Sequence, residues 1–170
     1  MNFRLIGALV LCIGSSYLGF SAAGTVRRQG KLLRNLKLSL EMMRCEVSYT
    51  LTPIGKICDI LAKNAEGEVR TLYIRLAKVF SAPYPEQDNW AEELVHSTLR
   101  GIPEEPANAM IELLTSFGRF GVKEQLRLID LTAEKVTAAL EQTESEKKQR
   151  CKCYQTLGIC TGLAIAILVL

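Results

Sequence analysis

Apolar residues crowd the two ends of the chain and thin into a periodic pattern between them. Residues 5–26 and 154–170 contain no Asp, Glu, Lys, Arg or His. At about 1.5 Å per residue the first stretch covers a hydrocarbon layer of about 30 Å, and the second is at the short end of the spanning range. Both are read as transmembrane helices. The middle of the chain alternates apolar and polar positions with helical spacing. Leu33, Leu36, Leu40, Met43 and Val47 recur at intervals of three and four, which predicts a helix with one buried stripe running out of the first anchor. Thr52-Pro53 then reads as an N-cap and first-turn proline, opening a second helix with Ile54, Ile57, Ile60 and Leu61 inward.

A third helix carries Val69, Leu72, Tyr73, Leu76, Ala77 and Phe80 on one face and stops at Ser81-Ala82-Pro83-Tyr84-Pro85. The fourth, from about Asp88 to Leu99, has Trp90, Leu94 and Val95 as its apolar set. A loop is expected from Gly101 to Pro106. After it, Ala109, Met110, Leu113, Leu114 and Phe117 mark a fifth helix, and Gly118 and Gly121 bracket the next turn. In the sixth, Leu126, Ile129, Ala133, Val136 and Leu140 keep heptad spacing before a polar stretch from Glu141 to Lys152, which is expected to project as a stalk. No strand-period alternation of useful length occurs. The expectation is an all-α fold, a bundle of about six helices whose first and last members are continuous with two transmembrane segments. Residues 1–26 and 154–170 are then the anchors, and 27–153 one helical domain.

Charge orients this arrangement. All 18 acidic residues lie between the anchors, as does every Lys and Arg but Arg4. Basic collars flank the domain on both inner sides: Arg27, Arg28, Lys31 and Arg34 after the first anchor, and Lys147, Lys148, Arg150 and Lys152 before the second. Cytoplasmic flanks of spanning helices carry such an excess, so the domain is expected in the cytoplasm with both termini outside. The same cluster after Val26 opposes a cleaved signal peptide, which Arg4 and Ser21-Ala22-Ala23 loosely imitate. Attraction to an anionic leaflet already accounts for the collars, and the net charge of +3 with few aromatics speaks against nucleic acid.

Chemistry is sparse. Of six cysteines, Cys12 and Cys160 fall in the anchors and the rest are scattered, so free thiols are expected. Cys151 and Cys153 form a close pair, but His96 is the sole histidine and no second ligand pair exists, so no metal site is assigned. There is no phosphate-binding loop and no nucleophile beside a base, so neither catalysis nor a cofactor is expected. In the anchors, Gly158, Gly162 and Ala166 form one small-residue stripe, while Gly14 and Gly19 take part in similar ones, where helices can approach closely. Such stripes serve either a membrane partner or the packing of the two anchors on each other.

Several of these residues together resemble a known family. The run Leu33-Arg34-x-Leu36-x-x-x-Leu40-x-x-Met43-x-x-Glu46-Val47-x-Tyr49-x-x-Thr52-Pro53-Ile54 resembles the first-helix pattern of the stage III sporulation protein AB family of endospore-forming bacteria. Gly19-Phe20, Phe117-Gly118 and Leu157-Gly158-x-x-Thr161-Gly162-Leu163 extend the resemblance over nearly the whole chain. Tyr17 stands where the family is expected to have Trp, and the interval from Gly118 to Gln125 is shorter than usual. The resemblance implies a fold similar to the cytoplasmic domains of type II secretion platform proteins. It also implies membership of the mother-cell channel complex that links to the forespore, with the secretion-type ATPase of the same operon and other channel membrane proteins as partners. Glu46, Tyr49, Thr52 and Pro53 then have two readings, a hydrogen-bonded brace for the first interhelical turn or a docking corner for the ATPase. A pore-forming homo-oligomer and a membrane-tethered regulator remain the alternatives to a platform.

Overall fold

The computed structural model describes residues 27–49, 52–81 and 89–169, with side chains through Glu146. Every regular element among them is helical: α1 over residues 27–49, α2 Ile54–Asn64, α3 Gly67–Ser81, α4 Trp90–Thr98, α5 Glu104–Ser116 and α6 Val122–Val169. Residues Gln29–Glu141 form one compact unit, and the rest of the chain belongs to a second. The first unit ends where the sequence of α6 turns polar.

The inward stripe of α1 is as expected, with Leu33, Leu36, Leu40 and Met43 at 0% exposure. Burying each such side chain contributes about 1.5–3 kcal/mol. On α3, Val69, Leu72, Tyr73, Leu76 and Ala77 are buried, and on α5, Ala109, Met110, Leu113 and Leu114, with Phe117 just past the helix end. The heptad of α6 delivers Ile129 and Val136 to the core, with Leu126, Ala133 and Leu140 packed at its margin. Along α2, Ile57 and Leu61 are buried, but Cys58 and Ala62 share that face while Ile54 and Ile60 are only half-buried.

Helices α2 and α3 make a hairpin. The N–H of Ala65 closes α2 on the Leu61 carbonyl, and Gly67 then takes φ 58, a conformation without steric cost only for glycine. At the far end of the pair, a Cβ added to Gly55 would lie 3.7 Å from Phe80 Cβ, so the start of α2 meets the end of α3. The remaining neighbours are joined by buried or half-buried hydroxyls. Ser39 of α1 donates to the Leu36 carbonyl at 2.7 Å and lies 2.9 Å from the Tyr73 hydroxyl of α3. A serine has one proton to give, so Tyr73 donates to Ser39. Thr132 of α6 reaches the Ala109 carbonyl of α5 at 3.3 Å, and Arg75 of α3 reaches Thr98 of α4 at 3.4 Å. No buried side-chain polar atom among the described residues lacks a partner.

Three boundaries differ from the sequence pattern. Thr52 does not cap α2: Pro53 itself is the N-cap residue, with φ −56 and ψ 141 and no side-chain cap bond, and its carbonyl receives the N–H groups of Lys56 and Ile57. The extended ψ of Pro53 leaves Thr52 one position too far out to reach the first turn. Second, the expected loop from Gly101 to Pro106 is shorter, because α5 starts at Glu104 and holds Pro106 buried in its first turn. A first-turn proline removes an N–H that has no intrahelical acceptor, and Glu104 and Glu105 suit the positive helix end. Third, α4 starts at Trp90, with Asn89 before it.

Burial makes two groups hard to ionise. It pushes the Cys58 thiol up from 9.0 to about 12, with the charge of Asp59 adding to the effect. Burial likewise drives the Tyr73 phenol well above 10.0, the hydrogen bond to Ser39 offsetting part of it and Cys58 adding a little. The folded state holds these protons more tightly than the unfolded chain, so their contribution is complete below pH 9 and declines as pH rises from there toward 12. Alkaline titration followed by circular dichroism should show that decline, and Cys58→Ala should remove its earliest part. Tyr73→Phe should lower stability by about 1 kcal/mol at neutral pH, the ordinary value of one hydrogen bond, read as a lower denaturant midpoint.

Candidate partner-binding surface

The last turns of α1 and the start of α2 bring the four corner residues together in sequence order around the first interhelical turn, of which residues 50–51 lie outside the described ones. The buried stripe of α1 fixes the rotation of that helix, and the rotation decides what the corner presents. Val47 points inward at 9% exposure, so Tyr49, two residues on, turns out to solvent at 88%. Glu46 is half-buried and makes an interaction of its own, Thr52 is half-buried and Pro53 exposed. Tyr49 thus presents its ring to water instead of packing it into the turn.

Around this corner the surface is charged and paired across helices. Arg44 Nε of α1 lies 2.6 Å from Asp130 Oδ1 of α6, both about half exposed. At the opposite end of α1 Lys31 reaches Glu66 of the α2–α3 turn at 3.4 Å, and Arg27, Arg28 and Arg34 are also exposed. A carboxylate-rich cleft of about 380 Å³ lies between α5 and α6, lined by Glu112, Glu124, Asp130 and Glu134 with Arg127, Leu128 and Leu131. A second cleft, apolar and of similar size, is lined by Ile54, Phe80, Phe117, Gly118 and Arg119. In it Phe80 packs edge-on with Phe117 at 6.0 Å, and Phe80 also meets Trp90 edge-on at 6.0 Å. Gly118 takes φ 81 where the chain leaves α5.

No group of three or more potential metal ligands occurs among the described residues. His96 is exposed on α4, and Cys45 and Cys58 are free thiols, one exposed and one buried. The collar residues Lys147, Lys148, Arg150 and Lys152 and the stripe residues Gly158, Gly162 and Ala166 lie on the backbone of α6, beyond the described side chains. Gly14 and Gly19 lie outside the described residues altogether. Among described residues no helix is long and apolar enough to cross a membrane, and both expected anchors fall outside the side chains described.

The family profile described as Stage III sporulation protein AB matches residues 4–170. The chain belongs to the stage III sporulation protein AB family. Membership places the chain in sporulation. Stage III sporulation protein AB of Bacillus subtilis (strain 168) is 21% identical over 173 residues, covering 98% of this chain and 99% of that protein. No solved structure matches this chain.

Burial reveals what sequence spacing missed in this family member: an outer row of exposed apolar residues on α1, with Leu38 at 54% and Met42 at 36%. Its signal was present as a second set of helical intervals, hidden because both sets lie on one helix. The Arg44–Asp130 pair is too exposed to hold the bundle. Arg44→Gln should cost less than about 1 kcal/mol, and the difference should shrink when thermal melts are repeated in high salt.

Proposed function

We propose that the chain is a non-enzymatic membrane platform of the channel complex linking mother cell and forespore, docking the secretion-type ATPase of its operon. In this reading residues 1–26 and 154–170 are two membrane anchors, both termini lie outside, and the bundle faces the mother-cell cytoplasm. Support for the anchors comes from the uncharged ends and from the basic collars placed at their inner sides.

The observation that carries the docking role is the Tyr49 ring at 88% exposure, beside Glu46. A ring left in water adds little to holding a turn, whereas interfaces recruit exposed aromatics as anchors. With Thr52 making no cap, the brace reading of this corner loses its main contribution to stability. The docking reading needs no chemistry from the chain itself, in keeping with free thiols and an exposed lone histidine.

The tagged full-length protein should co-purify with the ATPase from sporulating cells. Tyr49→Ala should weaken that association by about 2 kcal/mol, the usual loss at an aromatic anchor, and Glu46→Lys should weaken it too. Helical circular dichroism should be unchanged in both; an unfolded Tyr49→Ala protein would instead identify the residue as a brace. For the topology, a membrane-impermeant maleimide should leave Cys45 unlabelled in intact cells and label it after permeabilisation. Labelling of Cys45 from outside would overturn the cytoplasmic placement.

A further inference from the structure

Helix α1 carries two apolar stripes, and the bundle uses one. Leu33, Leu36, Leu40, Met43 and Val47 are buried. Leu38, Met42, Cys45 and Tyr49 follow one another at intervals of four, three and four, and all four are exposed. With about 100° of rotation per residue, this second set is centred nearly opposite the first. Single exposed apolar residues are ordinary, but these four align over three turns with the a/d spacing of a coiled-coil seam.

The charges beside the seam select what covers it. Glu41 and Glu46 flank it, each about 70° from its centre, one exposed and one half-buried. A helix that lies on a bilayer borders its apolar face with Lys and Arg, so carboxylates here oppose a lipid surface. A second copy of the chain fits no better. Parallel pairing sets Glu41 of one copy against Glu46 of the other on both sides of the seam, and like charges there repel. Antiparallel pairing centred on the seam brings Glu41 toward Ser48 and offers Glu41 no cation.

We propose that the outer face of α1, from Leu38 to Tyr49, is a docking seam for an amphipathic helix of a partner protein whose apolar stripe is flanked by Lys or Arg. This rests on the platform reading and deepens it, naming the face engaged and the chemistry that engages it. Specificity resides in the carboxylate borders, affinity in the four apolar side chains.

Cys45 lies within the seam and reports on its cover. The full-length protein in zwitterionic nanodiscs is treated with a maleimide, and modification of Cys45 is followed by peptide mass mapping. Two synthetic helices serve as probes, identical in their Leu a/d positions and bearing either Lys or Glu at e and g. The Lys-flanked helix should slow modification of Cys45 about tenfold or more, the Glu-flanked one should not, and Glu41→Lys with Glu46→Lys should reverse that preference. Leu38→Ser with Met42→Ser, at exposed positions that leave the fold intact, should abolish protection. Equal protection by both helices, or by neither, overturns the proposal. So does protection that grows with protein concentration alone, which marks a second copy, or that follows anionic vesicles, which marks lipid. If the ATPase co-purifies equally well with the Ser variant, the seam is not its dock and the proposal fails while the platform reading stands. If the ATPase does not co-purify with the unaltered protein, the platform reading fails, and the probe helices alone decide the seam.

Discussion

A phenol sealed from water organises this bundle. Tyr73 sits at 0% exposure in a largely apolar core, where an unpartnered hydroxyl would be costly. It is tolerated because Ser39 stands opposite, 2.9 Å away on α1, and because Ser39, which donates its own hydrogen bond to the Leu36 carbonyl, is free to accept from it. Apolar contacts are non-directional and would allow α1 to slide or turn against α3. A hydroxyl pair allows neither without stranding an oxygen, so it adds a directional lock to the height and rotation that the buried stripe of α1 sets. The exposed opposite face of α1 follows from that rotation.

Most of the fold was legible because burial in a helical bundle follows period. The five residues expected on the inner face of α1 are all buried, as are the five expected on or just after α5. Legibility failed where composition had to stand in for backbone geometry. Thr52-Pro53 looks like a cap and a first-turn proline, but the extended ψ of Pro53 moves the helix start one residue on. Pro106 looks like the end of a loop, yet a proline is as much at home in a first turn, and there it lies buried. Small polar residues of the core were also illegible. Ser39, Thr98, Ser116 and Thr132 are buried through hydrogen bonds to carbonyls or neighbouring side chains that periodicity does not encode.

The corner residues were found on family resemblance, and their roles were left open between brace and dock. Tyr49 is fully turned to solvent, whereas Glu46 and Thr52 are half-buried. What spacing alone could not reveal is that α1 is apolar on two sides. A helix with two stripes reads as one greasy helix until its rotation is known, and only the pairing with α3 supplies that rotation. Leu38, Met42 and Cys45 therefore passed unnoticed beside the better-marked Leu36, Leu40 and Met43.

The tight link between α2 and α3 has a consequence for how the molecule is assembled. Only Ala65 and Glu66 separate the two helices, so closing the hairpin sacrifices little chain entropy, and α3 and α5 each pack on α4, their neighbour in sequence. Such a middle can condense rapidly from local contacts. By contrast the buried hydrogen bond of α1 is made to Tyr73, 34 positions away. The helix that bears the outer seam is thus joined by a closure of longer range, which sacrifices more chain entropy, and amide exchange along α1 and α3 is where that cost would be read.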